Sequence, residues 1–209
     1  NAIQIWELNQ ALGDNRFDII AWDASLMQMF EVAYEMQDHA DYVVGSEESP
    51  PGEGYPYDAV FGRFRDNPNE TTRNLTKAFV DGMINDPRYT SKKITQSVLD
   101  TSKFDGLATA LDEYAGALIA NKAAVTSQVT NARANAQSFS PTFGRFYRDM
   151  IDITRVMDRV GGLPAAVSSA AANLRSAAQQ AIVWEAHNAN SPNSTGIAID
   201  FSAGDRFQE

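Results

Sequence analysis

The sequence contains no cysteine, only two histidines and no long apolar run. The absence of cysteine excludes disulfides, thiolate metal sites and a thiol nucleophile from the chain as written. No segment approaches the ~18 apolar residues of a membrane-spanning helix, and no signal-like segment opens the chain. There is no Walker loop, no Gly-x-Gly-x-x-Gly pattern and no zinc-binding pattern, so nucleotide-dependent and metallohydrolase functions have no support.

Basic residues are outnumbered by acidic ones. The chain has 17 Lys and Arg against 27 Asp and Glu, which gives a formal net charge of −10. A nucleic-acid partner is therefore not expected, because such partners require a basic surface. The same negative field favours a cationic substrate or peptide. With 209 residues, 44% of them hydrophobic, the chain can bury a sizeable core without metals or disulfides.

The order of the predicted elements indicates an α/β fold. Residues 17–22 form a short apolar run between polar residues, which is typical of a buried strand in a parallel sheet. A helix over 26–37 and a strand over 42–45 complete a predicted βαβ unit. The remaining predictions are helices over 3–12, 57–64, 70–85, 103–137 (one helix or two), 143–160 and 164–180, and strands over 93–99, 181–185 and 196–201.

We predict three regions along the chain. Residues 1–101 form an α/β core that carries the candidate site, residues 102–180 form a helical region, and residues 181–209 contain strands that close the sheet. The first 12 residues already fit an amphipathic helix, so we expect the chain to begin at a cut within a larger protein.

Polar residues follow the first two predicted strands. Asp23 and Ser25 come directly after the first strand, and the loop after the second contains Ser46, Glu53 and Tyr55. Sites in open α/β sheets form at the carboxyl ends of strands, and in a βαβ unit two such ends are adjacent. We therefore expect these side chains to share one cleft.

A resemblance to a known family rests on four ordered segments: DASLM (23–27), EVAYE (31–35), ADYVVGSEE (40–48) and PGEGYPY (51–57). These segments resemble the clostripain family of cysteine peptidases. The later segments SVLD (97–100) and GIAIDF (196–201) also resemble strands of that family, so the resemblance covers most of the chain. It implies a mostly parallel, caspase-haemoglobinase-like sheet flanked by helices, with a long helical insertion.

The resemblance also implies roles for individual residues. It places Ser25 at the position of the nucleophilic cysteine. Asp23 and Glu53 fall where acidic residues line the pocket for the arginine or lysine that precedes the cleaved bond. Ser46 and Tyr55 are assigned to the same substrate-binding group. The chemistry agrees, because a pair of carboxylates in a partly dry cleft strongly favours a guanidinium or ammonium group.

The sequence departs from the family pattern at two points. Ser25 replaces the cysteine, and the family's catalytic histidine, which lies in an upstream His-Gly segment, has no counterpart. Neither His39 nor His187 is followed by glycine, and both come after Ser25. Enzymes of the family are cut into a light and a heavy chain between that histidine and the cysteine. We therefore expect a light chain or N-terminal segment to supply the histidine and the first strands of the sheet.

The function implied is a clostripain-like cysteine endopeptidase heavy chain that cuts after Arg or Lys. A serine hydroxyl needs stronger general-base help than a thiol, so we expect the chain as written to be nearly inactive. The alternative is a non-catalytic pseudoprotease or binding subunit that recognises basic peptides or a partner protein. No cofactor is implied, and calcium stays an alternative that no EF-hand pattern supports. Bacterial export of family members suggests an extracellular or cell-envelope location.

Structural interpretations of the same residues stay open beside these roles. Ser25 opens a Ser-x-x-Gln capping box at the start of the predicted helix. Asp23 can complement the dipole of that helix, and Tyr55 can anchor its loop. Glu47 and Glu48 are predicted to be solvated.

Overall fold

The computed structural model describes residues 4–140 and 147–202. The helices are α1 Leu8–Leu12, α2 Phe30–Glu35, α3 Tyr57–Asp66, α4 Thr72–Leu75, α5 Lys77–Asn85, α6 Phe104–Ala120, α7 Lys122–Asn135, α8 Met150–Val160 and α9 Ala165–Ala181. The strands are β1 Phe17–Ala21, β2 Ala40–Gly45, β3 Thr95–Asp100, β4 Tyr147–Asp149, β5 Ile182–His187 and β6 Ala198–Asp200.

A central four-stranded sheet has the strand order β1-β2-β3-β5. Strands β1 and β2 are parallel and are connected through α2, which confirms the predicted βαβ unit. The pairs β2–β3 and β3–β5 are antiparallel. The α/β class with helices flanking the sheet is confirmed, but the prediction of a mostly parallel sheet is wrong for the described residues, where one of three strand pairs is parallel.

The antiparallel pairing follows from where the chain returns to the sheet. The Thr95 hydroxyl at the start of β3 lies 2.9 Å from the Ser46 hydroxyl just beyond β2, and it accepts the Glu47 backbone N–H at 3.0 Å. The excursion through α3, α4 and α5 therefore leaves and re-enters the sheet at the same edge. A crossover to the opposite edge would have been needed for a parallel β3.

The sheet is buried on both faces. On one face Val43 and Leu99 are cross-strand partners, and they pack into a core shared with α6, α7, α8 and α9. On the other face the adjacent pair Val44 and Val98 packs into a second core with α3 and α5. Successive side chains of a strand point to opposite faces, so these runs must be apolar at consecutive positions. This explains the lack of polar–apolar alternation in β2.

Two predictions for the second half of the chain need correction. The helix predicted over 143–160 begins only at Met150, where the Asp149 side chain accepts the Asp152 N–H at 2.7 Å; residues 147–149 form β4, and residues 143–146 lie outside the described residues. Strand β6 pairs with β4 in a separate two-stranded sheet, so the prediction that it closes the main sheet is wrong. A short apolar run does not reveal which strand it will pair with.

The predicted helical stretch over 103–137 consists of the two helices α6 and α7, which are interrupted at Asn121. Helix α6 packs on α9, and α7 packs on α8. Within the described parts of the chain, no helix combines the length and apolar character that a membrane crossing requires.

Candidate active site

The carboxyl ends of β1 and β2 lie side by side. Just past β1, the Trp22 N–H donates to the Val44 carbonyl at 2.9 Å, and further along the Gln28 N–H donates to the Ser46 carbonyl at 3.2 Å. These backbone bonds extend the strand pairing into the loops. Residues 22–28 and the loop over 46–57 therefore form one edge, as the βαβ unit predicts.

Asp23 lies at this edge against the loop that carries Glu53. Its Oδ2 accepts a hydrogen bond from the Tyr57 hydroxyl at 2.5 Å. Gly54 has φ +70°, and a Cβ on it would lie 2.6 Å from Asp23 Oδ2, so any other residue here would strain the backbone and displace Asp23. Both Asp23 and Glu53 are exposed. The buried Tyr89 hydroxyl donates to the Gly54 carbonyl at 2.6 Å and holds this part of the loop.

Charge at this edge is unbalanced. Among residues 4–140 and 147–202, no lysine, arginine or histidine forms an ion pair with Asp23 or Glu53. Two exposed carboxylates without a counter-ion can bind a cationic ligand through charge-assisted hydrogen bonds.

Ser25 is exposed two residues beyond Asp23, in a turn in which Leu26 has φ +58°. The expected helix start at this position is wrong, because α2 begins at Phe30 and the residue that precedes it makes no side-chain cap. The reason is Gln28, whose Nε2 donates to the carbonyl and hydroxyl of Ser97 at 3.1 and 2.8 Å. Its backbone is engaged as well, because its N–H donates to the Ser46 carbonyl and its carbonyl accepts the Ala198 N–H at 3.0 Å, so the segment after Ser25 does not form a first helical turn.

The structure places Ser46 and Tyr55 in the interior. Ser46 is buried with its hydroxyl against Thr95. Tyr55 is buried, donates to the Trp22 carbonyl at 3.1 Å and accepts from Gln96 Nε2 at 2.8 Å. Burial raises the pKa of Tyr55, so its hydroxyl remains a donor. Neither side chain reaches the exposed edge. The two hydrogen bonds of Tyr55 anchor the loop, which is the alternative role given for Tyr55 above.

A buried pair of acids was missed at the sequence level. Glu47 and Asp149 are fully buried, and Glu47 Oε2 accepts the Gly196 N–H at 3.0 Å as well as the Ser194 hydroxyl. Burial, and then the charge of Asp149, raises the pKa of Glu47 well above its ordinary value. Burial also raises the pKa of Asp149, to about 6. The prediction that Glu47 and Glu48 are solvated is wrong, since Glu48 is also buried.

Both histidines of the chain are engaged elsewhere. His39 Nδ1 lies 2.9 Å from the Asn15 carbonyl, and its Nε2 lies 2.5 Å from Asn9 Oδ1. His187 Nδ1 lies 2.6 Å from Glu185 Oε1. No group of three or more His, Cys, Asp or Glu is arranged to hold a metal ion in the parts of the chain that the structure describes.

Comparison with solved structures finds several bacterial cysteine proteases. A secreted C11 cysteine protease from Bacteroides thetaiotaomicron, solved with an irreversible peptide inhibitor, superposes with a TM-score of 0.71 at 19% identity; the match covers 99% of this chain and 59% of that one. A clostripain from the same species, also with a peptide inhibitor, gives 0.68 at 19% identity, covering 94% and 85% of the two chains. An inactive zymogen C11 protease from Parabacteroides distasonis gives 0.66 at 18% identity, covering 96% and 57%.

These likenesses establish the fold, and the chain spans 59% of the length of the first of these proteases. Comparison with curated protein sequences gives no match. The family assignment comes from the sequence itself, because residues 1–196 match the clostripain family of C11 peptidases. That match covers nearly all of the chain, which therefore belongs to the clostripain family.

Proposed function

We propose that this chain is the heavy-chain portion of a cysteine endopeptidase that hydrolyses peptide bonds after Arg or Lys, with Ser25 at the position of the nucleophile. The observation that carries the proposal is the exposed edge where Asp23 meets the loop bearing Glu53, with the exposed Ser25 two residues beyond Asp23. A location outside the cell is part of the proposal, since one structural relative is described as secreted.

The pocket for the basic residue is supported by charge. Asp23 and Glu53 have no counter-ion among the described residues, and Asp23 accepts a hydrogen bond from the Tyr57 hydroxyl. A guanidinium can bind a carboxylate through two parallel N–H···O bonds, and an ammonium can bind it as a point charge. The arrangement therefore suits a cationic side chain next to the reacting carbonyl.

A partner segment that carries the histidine is supported by the edge of the sheet. Strand β1 has no neighbour on its outer side within the described residues, and Phe17 at its start is 46% exposed. An unpaired strand edge accepts further strands. Neither His39 nor His187 bonds to Ser25, so a general base must come from elsewhere. One relative is described as an inactive zymogen, in keeping with a protein that is processed.

The reaction proposed is an acyl transfer. With cysteine at position 25, the partner histidine takes the thiol proton and the thiolate attacks the scissile carbonyl. The tetrahedral intermediate then expels the amine, which receives that proton from the histidine, and water hydrolyses the acyl-enzyme that remains. Backbone N–H groups hold the oxyanion that forms on the carbonyl oxygen. With Ser25 the same base faces a hydroxyl of much higher pKa, so turnover by the chain as written is expected to be very slow.

The test is a specificity measurement on the restored enzyme. Ser25→Cys, assembled with an N-terminal segment that contains a His-Gly pair, is assayed on matched peptide substrates in which Arg, Lys or the uncharged citrulline is joined to an amine leaving group. We expect cleavage after Arg and Lys, and a ~10- to 100-fold lower kcat/KM for them in Asp23→Asn, because a hydrogen-bonded charge partner is lost. Asp112→Asn, the same change at an exposed position of α6, is the control. Binding without cleavage would instead support a non-catalytic binding subunit.

A further inference from the structure

Tyr57 contacts the acidic edge directly. Its hydroxyl donates to Asp23 Oδ2, while 45% of the residue surface remains exposed. This hydrogen bond is the main reason why the pKa of Tyr57 is raised, so the hydroxyl keeps its proton and remains a donor at neutral pH. Asp23 Oδ1 has no hydrogen-bond partner among the residues described, and a carboxylate oxygen can accept from a ligand there.

The Tyr57 ring belongs to an aromatic cluster, which we define as Tyr55, Tyr57, Phe61, Phe64 and Phe79. The five rings form a closed circuit with centroid separations between 5.2 and 6.1 Å. Tyr57 stacks on Phe61, one turn further along α3, with 13° between the ring planes. It also meets the edge of the buried Tyr55 at 6.1 Å. Tyr57 is therefore supported from two sides despite its exposure.

Asp23 also lies close to the backbone at Gly54, where a Cβ would be 2.6 Å from Oδ2 and 3.2 Å from Oδ1. The carboxylate thus has two neighbours in the loop, the Tyr57 hydroxyl and the Gly54 backbone. An exposed aspartate would otherwise sample several rotamers, and ordering it on binding would cost conformational entropy. A hydroxyl that orders Asp23 before the ligand arrives removes this cost.

We propose that Tyr57 is a positioning residue that presents the Asp23 carboxylate to a cationic side chain, with the aromatic cluster as its rigid support. The Tyr57 hydroxyl stays hydrogen-bonded to Asp23 Oδ2, while Asp23 Oδ1 accepts an N–H of the bound guanidinium or ammonium group. This inference rests on the proposed function, because it requires Asp23 to bind the basic residue.

The experiment is a double-mutant cycle on the chain as written, measured by titration calorimetry. The probes are Ala-Ala-Arg-amide and its uncharged analogue Ala-Ala-citrulline-amide. Tyr57→Phe keeps the ring and its stack but removes the hydroxyl, and we expect it to weaken binding of the arginine peptide ~5- to 10-fold with little effect on the citrulline peptide. In an Asp23→Asn background the same substitution is expected to have almost no effect.

Tyr34→Phe is the matched control, because Tyr34 is also exposed and its ring also stacks on a helical neighbour, Phe30, at 5.7 Å. It should leave both affinities unchanged. A kinetic measurement completes the test. In Ser25→Cys assembled with the histidine-bearing segment, Tyr57→Phe should raise KM for an arginine substrate and leave kcat nearly unchanged, which a general loss of structure would not do.

The outcomes separate the two proposals. The basic pocket stands if the parent chain prefers the arginine peptide over the citrulline peptide and Asp23→Asn abolishes that preference. In that case the role of Tyr57 is still refuted if Tyr57→Phe has no effect on binding, or if it has the same effect with and without Asp23→Asn. If the parent chain binds both peptides equally or not at all, the basic pocket is refuted, and the role of Tyr57 with it.

Discussion

Replacing Glu47 by glutamine tests the buried acid pair of Glu47 and Asp149. In the folded protein both pKa values are raised, that of Asp149 from 3.8 to about 6, with burial as the main cause. The unfolded chain releases these protons at lower pH. Because the folded state binds more protons in this range, the free energy of unfolding falls as the pH rises from the ordinary carboxyl values through about 6.

The magnitude follows from the burial of Glu47 itself. Burial is the main cause of its raised pKa, and its Oε1 has no hydrogen-bond partner among the described residues, so an ionised Glu47 carries a cost of about 1–3 kcal/mol that glutamine does not. Glutamine at position 47 keeps an oxygen for the Gly196 N–H and the Ser194 hydroxyl. Its amide N–H can donate to Asp149 at any pH, whereas the Glu47 carboxyl can donate only when it is protonated. We therefore expect Glu47→Gln to raise the free energy of unfolding by up to about 3 kcal/mol near pH 7.5, and by far less near pH 5.

The assay is urea unfolding followed by tryptophan fluorescence near pH 5 and pH 7.5, with Glu113→Gln, the same change at an exposed position of α6, as the control. In thermal unfolding the gain near pH 7.5 corresponds to roughly 6–12 °C in Tm for a chain of this size. An equal effect of Glu47→Gln at both pH values, or destabilisation near pH 7.5, would refute the account in which burial of the two carboxyl groups opposes their ionisation.

Two further substitutions probe the loop between β2 and β3. Gly54→Ala is expected to destabilise the fold by roughly 1–2 kcal/mol in thermal unfolding, because φ is +70°. It should also weaken the binding of arginine peptides in calorimetry, because it displaces Asp23. Gly52→Ala, where a Cβ meets nothing within 4 Å, should change neither quantity. Thr95→Val leaves two buried backbone N–H groups without their acceptor, so urea unfolding should show a loss of ~2–4 kcal/mol, whereas the exposed Thr90→Val should show almost none.

The first half of the fold could be predicted from local patterns. The apolar runs that become β1 and β2 have polar flanks and enclose a helix, and parallel pairing through a crossover is the expected outcome. The direction of β3 could not be predicted, because it depends on Thr95 closing onto Ser46 after a 49-residue separation. The pairing of β6 with β4 is likewise a long-range choice that a three-residue strand does not encode.

The candidate site shows the same division. Asp23 and the loop of Glu53 were expected together because both follow strands that end at one edge. The misplaced helix start near Ser25 reflects Gln28, which bonds to a residue 69 positions away. The burial of Glu47 depends on Ser194 and Gly196 near the other end of the chain. A local sequence pattern does not show which distant residues will form hydrogen bonds. Sequence analysis therefore misplaced the residues whose hydrogen-bond partners lie far away in the chain.

Covalent labelling of residue 25 tests the central claim most directly. Ser25→Cys, assembled with a segment that supplies the histidine, is treated with a peptidyl ketone electrophile ending in arginine, and the modified residue is identified by mass spectrometry. The account predicts one adduct, on residue 25, that forms much more slowly in Asp23→Asn and with a citrulline analogue of the reagent. No adduct at residue 25, or labelling at equal rates by the arginine and citrulline reagents, would contradict it.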